Sequence, residues 1–147
     1  MMETEYEILD YIYKNATMGY ESTMTLLKTL EDKENKIKDV VQDIISSYKD
    51  FIKQSELLLC KINADGKKYN FMATMSADRN IKRKMNKDNS DSAVAQMLIK
   101  GLTMGQNNMS KAFDNINKKD VDKKVLNLLD DMKEFQINAI KKLEKYV

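Results

Sequence analysis

The groups in this chain able to do chemistry are scattered carboxylates, thioethers, one thiol and one run of bases. A di-metal carboxylate centre in a helical bundle takes a Glu from each of two helices. It takes a Glu-x-x-His pair from each of the other two. The chain has no histidine. Glu21, Asp50 and Glu134 each stand one position off the apolar seam of their segment. Burying an unpaired carboxylate costs several kcal/mol, so all three are expected to face water. A carboxylate-only metal site of Glu21, Asp50 and Glu134 needs every register to shift by one residue. No metal, cofactor or catalytic residue is therefore assigned.

The chain is rich in methionine, with 11 residues. Met72, Met75, Met85, Met97, Met104 and Met109 fall in one half of it. Thioethers suit Cu(I), but methionine is also the adaptable filler of cores and binding surfaces, and core filling is the expectation. Cys60 stands alone, which rules out an intramolecular disulfide. Within Leu57-Leu58-Leu59-Cys60 it reads as a buried, inert thiol. Met72, Met75, Arg79, Lys82 and Arg83 form a candidate interaction surface on a basic stretch. Only Tyr69 and Phe71 accompany it, too few aromatic platforms for a nucleic-acid reader. Its apolar face is too weak for a membrane-surface helix. Neither nucleic acid nor membrane is an expected partner. There is no Gly-rich phosphate loop and no Ser or Cys paired with a His.

The elements that would position these groups read as helices. No proline and only four glycines interrupt 147 residues, and charged residues make up 33% of the chain. That composition is all-α, and the length suits a single domain, residues 1–147. The net charge of +2 is the remainder of 25 basic and 23 acidic residues, so no global field steers a polyanion. The opening MMETEYEILD is acidic, and no apolar run approaches the roughly 20 residues that span a bilayer. The expectation is a cytoplasmic protein.

Helix 1 is expected from Thr4, where Thr4 and Glu7 fit a capping box. Its seam is Tyr6, Leu9, Tyr13, Ala16, Tyr20, Thr23, Leu27 and Leu30, with Ile12 and Met24 at the margins. Helix 2 starts near Asp32 or Asn35. It follows Ile37, Val41, Ile44, Tyr48, Phe51, Ser55, Leu58 and Ile62, with Ile45, Ile52 and Leu59 flanking, and stops at Asn63-Ala64-Asp65-Gly66. Residues 64–89 form a long crossover with a short amphipathic helix from about Phe71 to Met85. Helix 3 starts near Ser90 and continues through Val94, Leu98, Gly101, Gly105, Met109, Phe113 and Ile116. Helix 4 starts at Asn117-Lys118-Lys119-Asp120, read as a second capping box. Its seam is Val121, Val125, Leu128, Met132, Phe135 and Ala139, followed by Ile140, Leu143, Tyr146 and Val147. Two helical hairpins joined by a long crossover predict a four-helix bundle of ferritin-like connectivity.

Gly101 and Gly105 sit four apart inside helix 3, where each costs roughly 1 kcal/mol against Ala. Close packing against another helix, within the bundle or across a dimer, is the expected reason. The apolar margins also exceed what one four-helix core needs, so either the crossover or a second copy in a homodimer must cover them.

SDSAVAQMLIKGLTMG, YKNATMGYESTMTLL and AIKKLEKYV resemble a group of uncharacterised ferritin-like helical-bundle proteins of anaerobic, low-GC bacteria. The resemblance covers most of the chain and implies that fold without the di-metal ligands. Ala93 and Gln96 stand where related sequences sometimes carry an acid or His. The function expected is a non-catalytic structural or protein-interaction bundle, its protein partner unspecified. The alternative is a metal-binding ferritin-like oxidoreductase or storage protein with a carboxylate-only site.

Overall fold

The computed structural model describes residues 2–62, 81, 83–85 and 87–147. Among these the chain is all-helical, with no strand. Four long helices, α1 (Met2–Thr29), α2 (Lys38–Lys61), α3 (Asp91–Phe113) and α4 (Lys123–Glu144), carry the core, and a short 3-10 turn, Lys118–Asp120, precedes α4. Residues 81, 83–85 and 87 are also helical. The stop at Gly66, most of the short crossover helix, and Met72, Met75, Arg79 and Lys82 lie outside the described residues. Arg83 is exposed, whereas Met85 is buried.

α1 packs along α2, α3 along α4, and α2 against α4, while α1 also touches α3 and α4. Two side chains fix which ends meet. Glu5, in the first turn of α1, accepts a hydrogen bond from the Asp122 backbone N–H at the start of α4 (2.9 Å). Asp91, in the first turn of α3, accepts from the backbone N–H groups of Lys36 (3.2 Å) and Ile37 (3.5 Å) and from the Asn35 amide (2.9 Å). The starts of α1 and α4 therefore share one end, and those of α2 and α3 the other.

Helix ends depart from the sequence reading where a tertiary partner replaces a local cap. α2 begins at Lys38, later than expected, because its N-cap position is Ile37, a fully buried core residue with no capping side chain. The carboxylate of Asp91 supplies that cap from another helix. α1 begins at Met2, upstream of the Thr4–Glu7 box. The second box makes only the 3-10 turn, in which Asn117 accepts from the Lys119 N–H. The cap of α4 is Asp122, which accepts from the Lys124 N–H. At α3 the local signal holds, with the Ser90 hydroxyl accepting from the Ala93 N–H.

The core of α2 follows the expected seam from Ile37 to Ser55, then shifts to Leu59, leaving Leu58 and Ile62 half-buried. In α1 the centre is taken by Ile8, Leu9, Ile12, Ala16, Leu26 and Leu30, while Tyr6, Tyr13 and Tyr20 lie half-buried at its margin. Aliphatic side chains can be buried whole, whereas a tyrosine at the margin keeps its hydroxyl near polar partners. Ile12 and Leu59 are fully buried, and Ile45 and Ile52 pack against the core. The margins read as surplus apolar surface are thus largely used within the chain. Cys60 is exposed, against the expectation of burial, because Leu59 rather than Leu58 turns inward and carries its neighbour out.

Candidate functional site

α1 and α3 diverge to leave a cleft of about 850 Å³, floored by Ile44 and Tyr48 of α2 and reached by Ile81. Its apolar wall includes Leu26, Met97, Leu98, Leu102 and Phe113. The exposed thioethers of Met18 and Met104 stand on its two flanking helices. The size and composition are those of small-molecule sites, which are mostly apolar with a few placed polar groups.

Tyr11 ties the two flanking helices together within the cleft lining. Its hydroxyl donates to the Gly105 carbonyl across the helix pair (3.1 Å), and its ring meets Phe113 edge-on at 5.4 Å. The Asn15 amide approaches the same hydroxyl (3.5 Å). Half-burial pushes the Tyr11 pKa upward, opposed in part by that amide. Asn15 also faces Gly105, where an added Cβ would stand 3.4 Å from its Nδ2 and 3.1 Å from Gln136 Nε2.

Tyr48 is a closely confined polar group of the cleft, with 7% of its surface accessible. Its ring tip lies against Gly19 of α1 and meets Phe135 of α4 edge-on at 5.1 Å. Among the described residues its hydroxyl makes no hydrogen bond. Burial, with a smaller contribution from neighbouring Tyr11, pushes its pKa well above the usual tyrosine value. Among the described residues the charged lining groups are Glu7, Asp10 and Lys14, and Lys14 is tied to Asp10 at 2.8 Å.

The sequence-derived candidates fall elsewhere or take other roles. Glu21 is half-buried on α1, Asp50 is exposed on α2, and Glu134 is exposed on α4 beside a second, smaller hollow of about 310 Å³. Among the described residues no three His, Cys, Asp or Glu side chains come together as a metal site. The off-seam carboxylates therefore do not converge. Gly105 does sit in a close approach, to the side chains of Gln136 and Asn15. Gly101 does not: it is exposed on the cleft and an added Cβ would meet nothing within 4 Å. Its lack of a side chain leaves the cleft open instead of letting two helices touch. Met109 is buried as core, whereas Met97 and Met104 line the cleft.

Sequence reasoning missed Gly19, Tyr48 as a cleft residue, and Gln136. Gly19 was legible as a glycine inside a strongly periodic helix, the signal that singled out Gly101 and Gly105. Gln136 is 1% exposed in the α4 core, and among the described residues its Oε1 has no partner. Among the described residues no helix is long and apolar enough to cross a membrane. No family model, curated protein or solved structure matches the chain.

Proposed function

We propose that the chain is a non-catalytic helical bundle of ferritin-like connectivity whose work is binding, through the cleft between α1 and α3. The observation that carries this reading is the cleft itself. It is large, lined mainly by apolar side chains, and bordered by Gly101, where an added Cβ would meet nothing within 4 Å. A bundle selected only for stability would close such a gap, because unfilled apolar volume is destabilising. The end-to-end contacts of Asn35 with Asp91 and of Glu5 with Asp122 support the connectivity. They put the start of α3 beside the start of α2, a placement that one long crossover serves in ferritin-like folds.

The test uses N-phenylnaphthylamine, an uncharged dye that fluoresces in apolar surroundings. The protein binds it at one site per chain. Gly101→Phe, which inserts a ring beside the open wall, abolishes the signal without lowering Tm. No binding by the unmodified protein, or undiminished binding by a folded Gly101→Phe variant, overturns the reading.

A further inference from the structure

We infer that the cleft selects an uncharged, mainly apolar small molecule carrying a hydrogen-bond-accepting oxygen, which the Tyr48 hydroxyl recognises. This rests on the binding reading above and adds the chemistry of the ligand.

Tyr48 is more than nine-tenths buried, lines the cleft, and has a hydroxyl without a partner among the described residues. The ring is buried while the hydroxyl keeps access to the cleft, so its one hydrogen is free to be given to an acceptor that occupies the cleft. Two contacts restrict the ring. Gly19 lies against its tip, and Phe135 packs on it from α4. The hydroxyl is therefore presented at a fixed place instead of swinging to a local acceptor. The neighbouring Tyr11 hydroxyl cannot serve as the second donor, because its proton is committed to the Gly105 carbonyl. A tyrosine hydroxyl donates one hydrogen, so the matching ligand group is an acceptor such as a carbonyl.

Charge excludes the commoner amphiphiles. Lys14 is the only basic side chain among the described lining residues, and it is paired with Asp10. Glu7 adds a carboxylate at the same end. Among the described lining residues a fatty-acid carboxylate would meet two acids and no cation that is not already paired. Beyond Tyr48 the walls are Leu26, Ile44, Ile81, Met97 and Leu98, which offer an alkyl chain contacts but no ionic partner.

Displacement of N-phenylnaphthylamine by three probes of equal chain length tests this. They are methyl nonyl ketone, undecane and undecanoate, each applied to the unmodified protein and to Tyr48→Phe. The ketone displaces the dye from the unmodified protein at a concentration ~5- to 10-fold lower than undecane, the worth of one hydrogen bond. In Tyr48→Phe the two are equal, while undecane is unchanged. Undecanoate is the weakest of the three. Tyr48→Phe keeps or raises Tm, which shows that it folds and that the hydroxyl had no partner to lose. Equal displacement by ketone and alkane in the unmodified protein overturns the role of Tyr48 and leaves the binding cleft standing. Preference for undecanoate overturns the uncharged class. Failure of the dye to bind at all overturns the cleft, and this inference with it.

Discussion

The phenol ring of Tyr48 occupies the place where a side chain on Gly19 would have to be. A Cβ built on Gly19 would stand 2.6 Å from Tyr48 Cε1 and 2.7 Å from Cε2, well inside contact distance. The ring cannot retreat freely, because Phe135 packs on it and Phe51 on Phe135. Gly19 is therefore a packing requirement inside α1, despite its cost to the helix.

Gly19→Ala should destabilise the fold. Better helix propensity contributes about 1 kcal/mol, and overpacking against a held ring costs about 1–3 kcal/mol. A net loss of up to about 2 kcal/mol by urea denaturation is expected, and Tyr48→Ala in the same chain should relieve it. A stabilised Gly19→Ala variant would mean that the ring moves at little cost.

The two glycines of α3 should behave in opposite ways. Gly101→Ala places its Cβ in open space and gains about 0.5–1 kcal/mol from propensity alone. Gly105→Leu drives atoms into Gln136 and Asn15, and overpacking of about 1–3 kcal/mol outweighs the same gain. Thermal melts of the two variants should move Tm up for the first and down for the second.

These positions show what a linear pattern carries. The alternation of three and four gave the core of α2 almost residue by residue as far as Ser55, because the aliphatic and aromatic side chains at those positions share one face. In α4 the same alternation can pass through Phe135 or Gln136, and chemistry favours Phe135. The chain buries Gln136 fully and leaves Phe135 half-buried, where it reaches across to Tyr48 and Phe51. The cleft was not legible, since it arises from the distance between α1 and α3, and periodicity specifies faces but not separations. The absence of a side chain at Gly101 reads identically whether it admits a helix or a ligand. The cap from Asp91 to Ile37 joins residues 54 positions apart, beyond any local motif.

Asp91 should matter more than an exposed helix-start residue normally does. Its carboxylate accepts from Asn35, Lys36 and Ile37 while sitting in the first turn of its own helix. Asp91→Ala should cost about 1–2 kcal/mol, the range for a lost cap with charge-assisted bonds. Amide hydrogen exchange should accelerate at the start of α2 more than at the end of α3. Uniform acceleration would place the loss elsewhere.

Cys60 offers a direct check on the register of the end of α2. It is exposed beside exposed Leu57. N-ethylmaleimide should therefore modify the folded protein to completion, without denaturant and without loss of helical signal. Protection until unfolding would restore the seam through Leu58.

Alkaline pH should expose the cost of keeping Tyr48 neutral. Its pKa in the folded chain lies well above the ordinary 10.0, chiefly because burial disfavours the phenolate. Tyr11 is raised in the same direction. Below pH 10 the folded and unfolded states both hold these protons, and stability does not depend on them. Above it the unfolded chain releases protons that the folded chain retains, so unfolding becomes more favourable as pH rises. Each such proton contributes at most about 1.4 kcal/mol per pH unit. Urea melts across this range should show stability falling with pH, and the slope should be shallower in Tyr48→Phe by up to one proton. The difference between the two proteins isolates Tyr48 from the lysines, which titrate nearby in both. Identical slopes would mean that Tyr48 ionises in the folded protein as easily as in the unfolded chain, and that its hydroxyl stands in water.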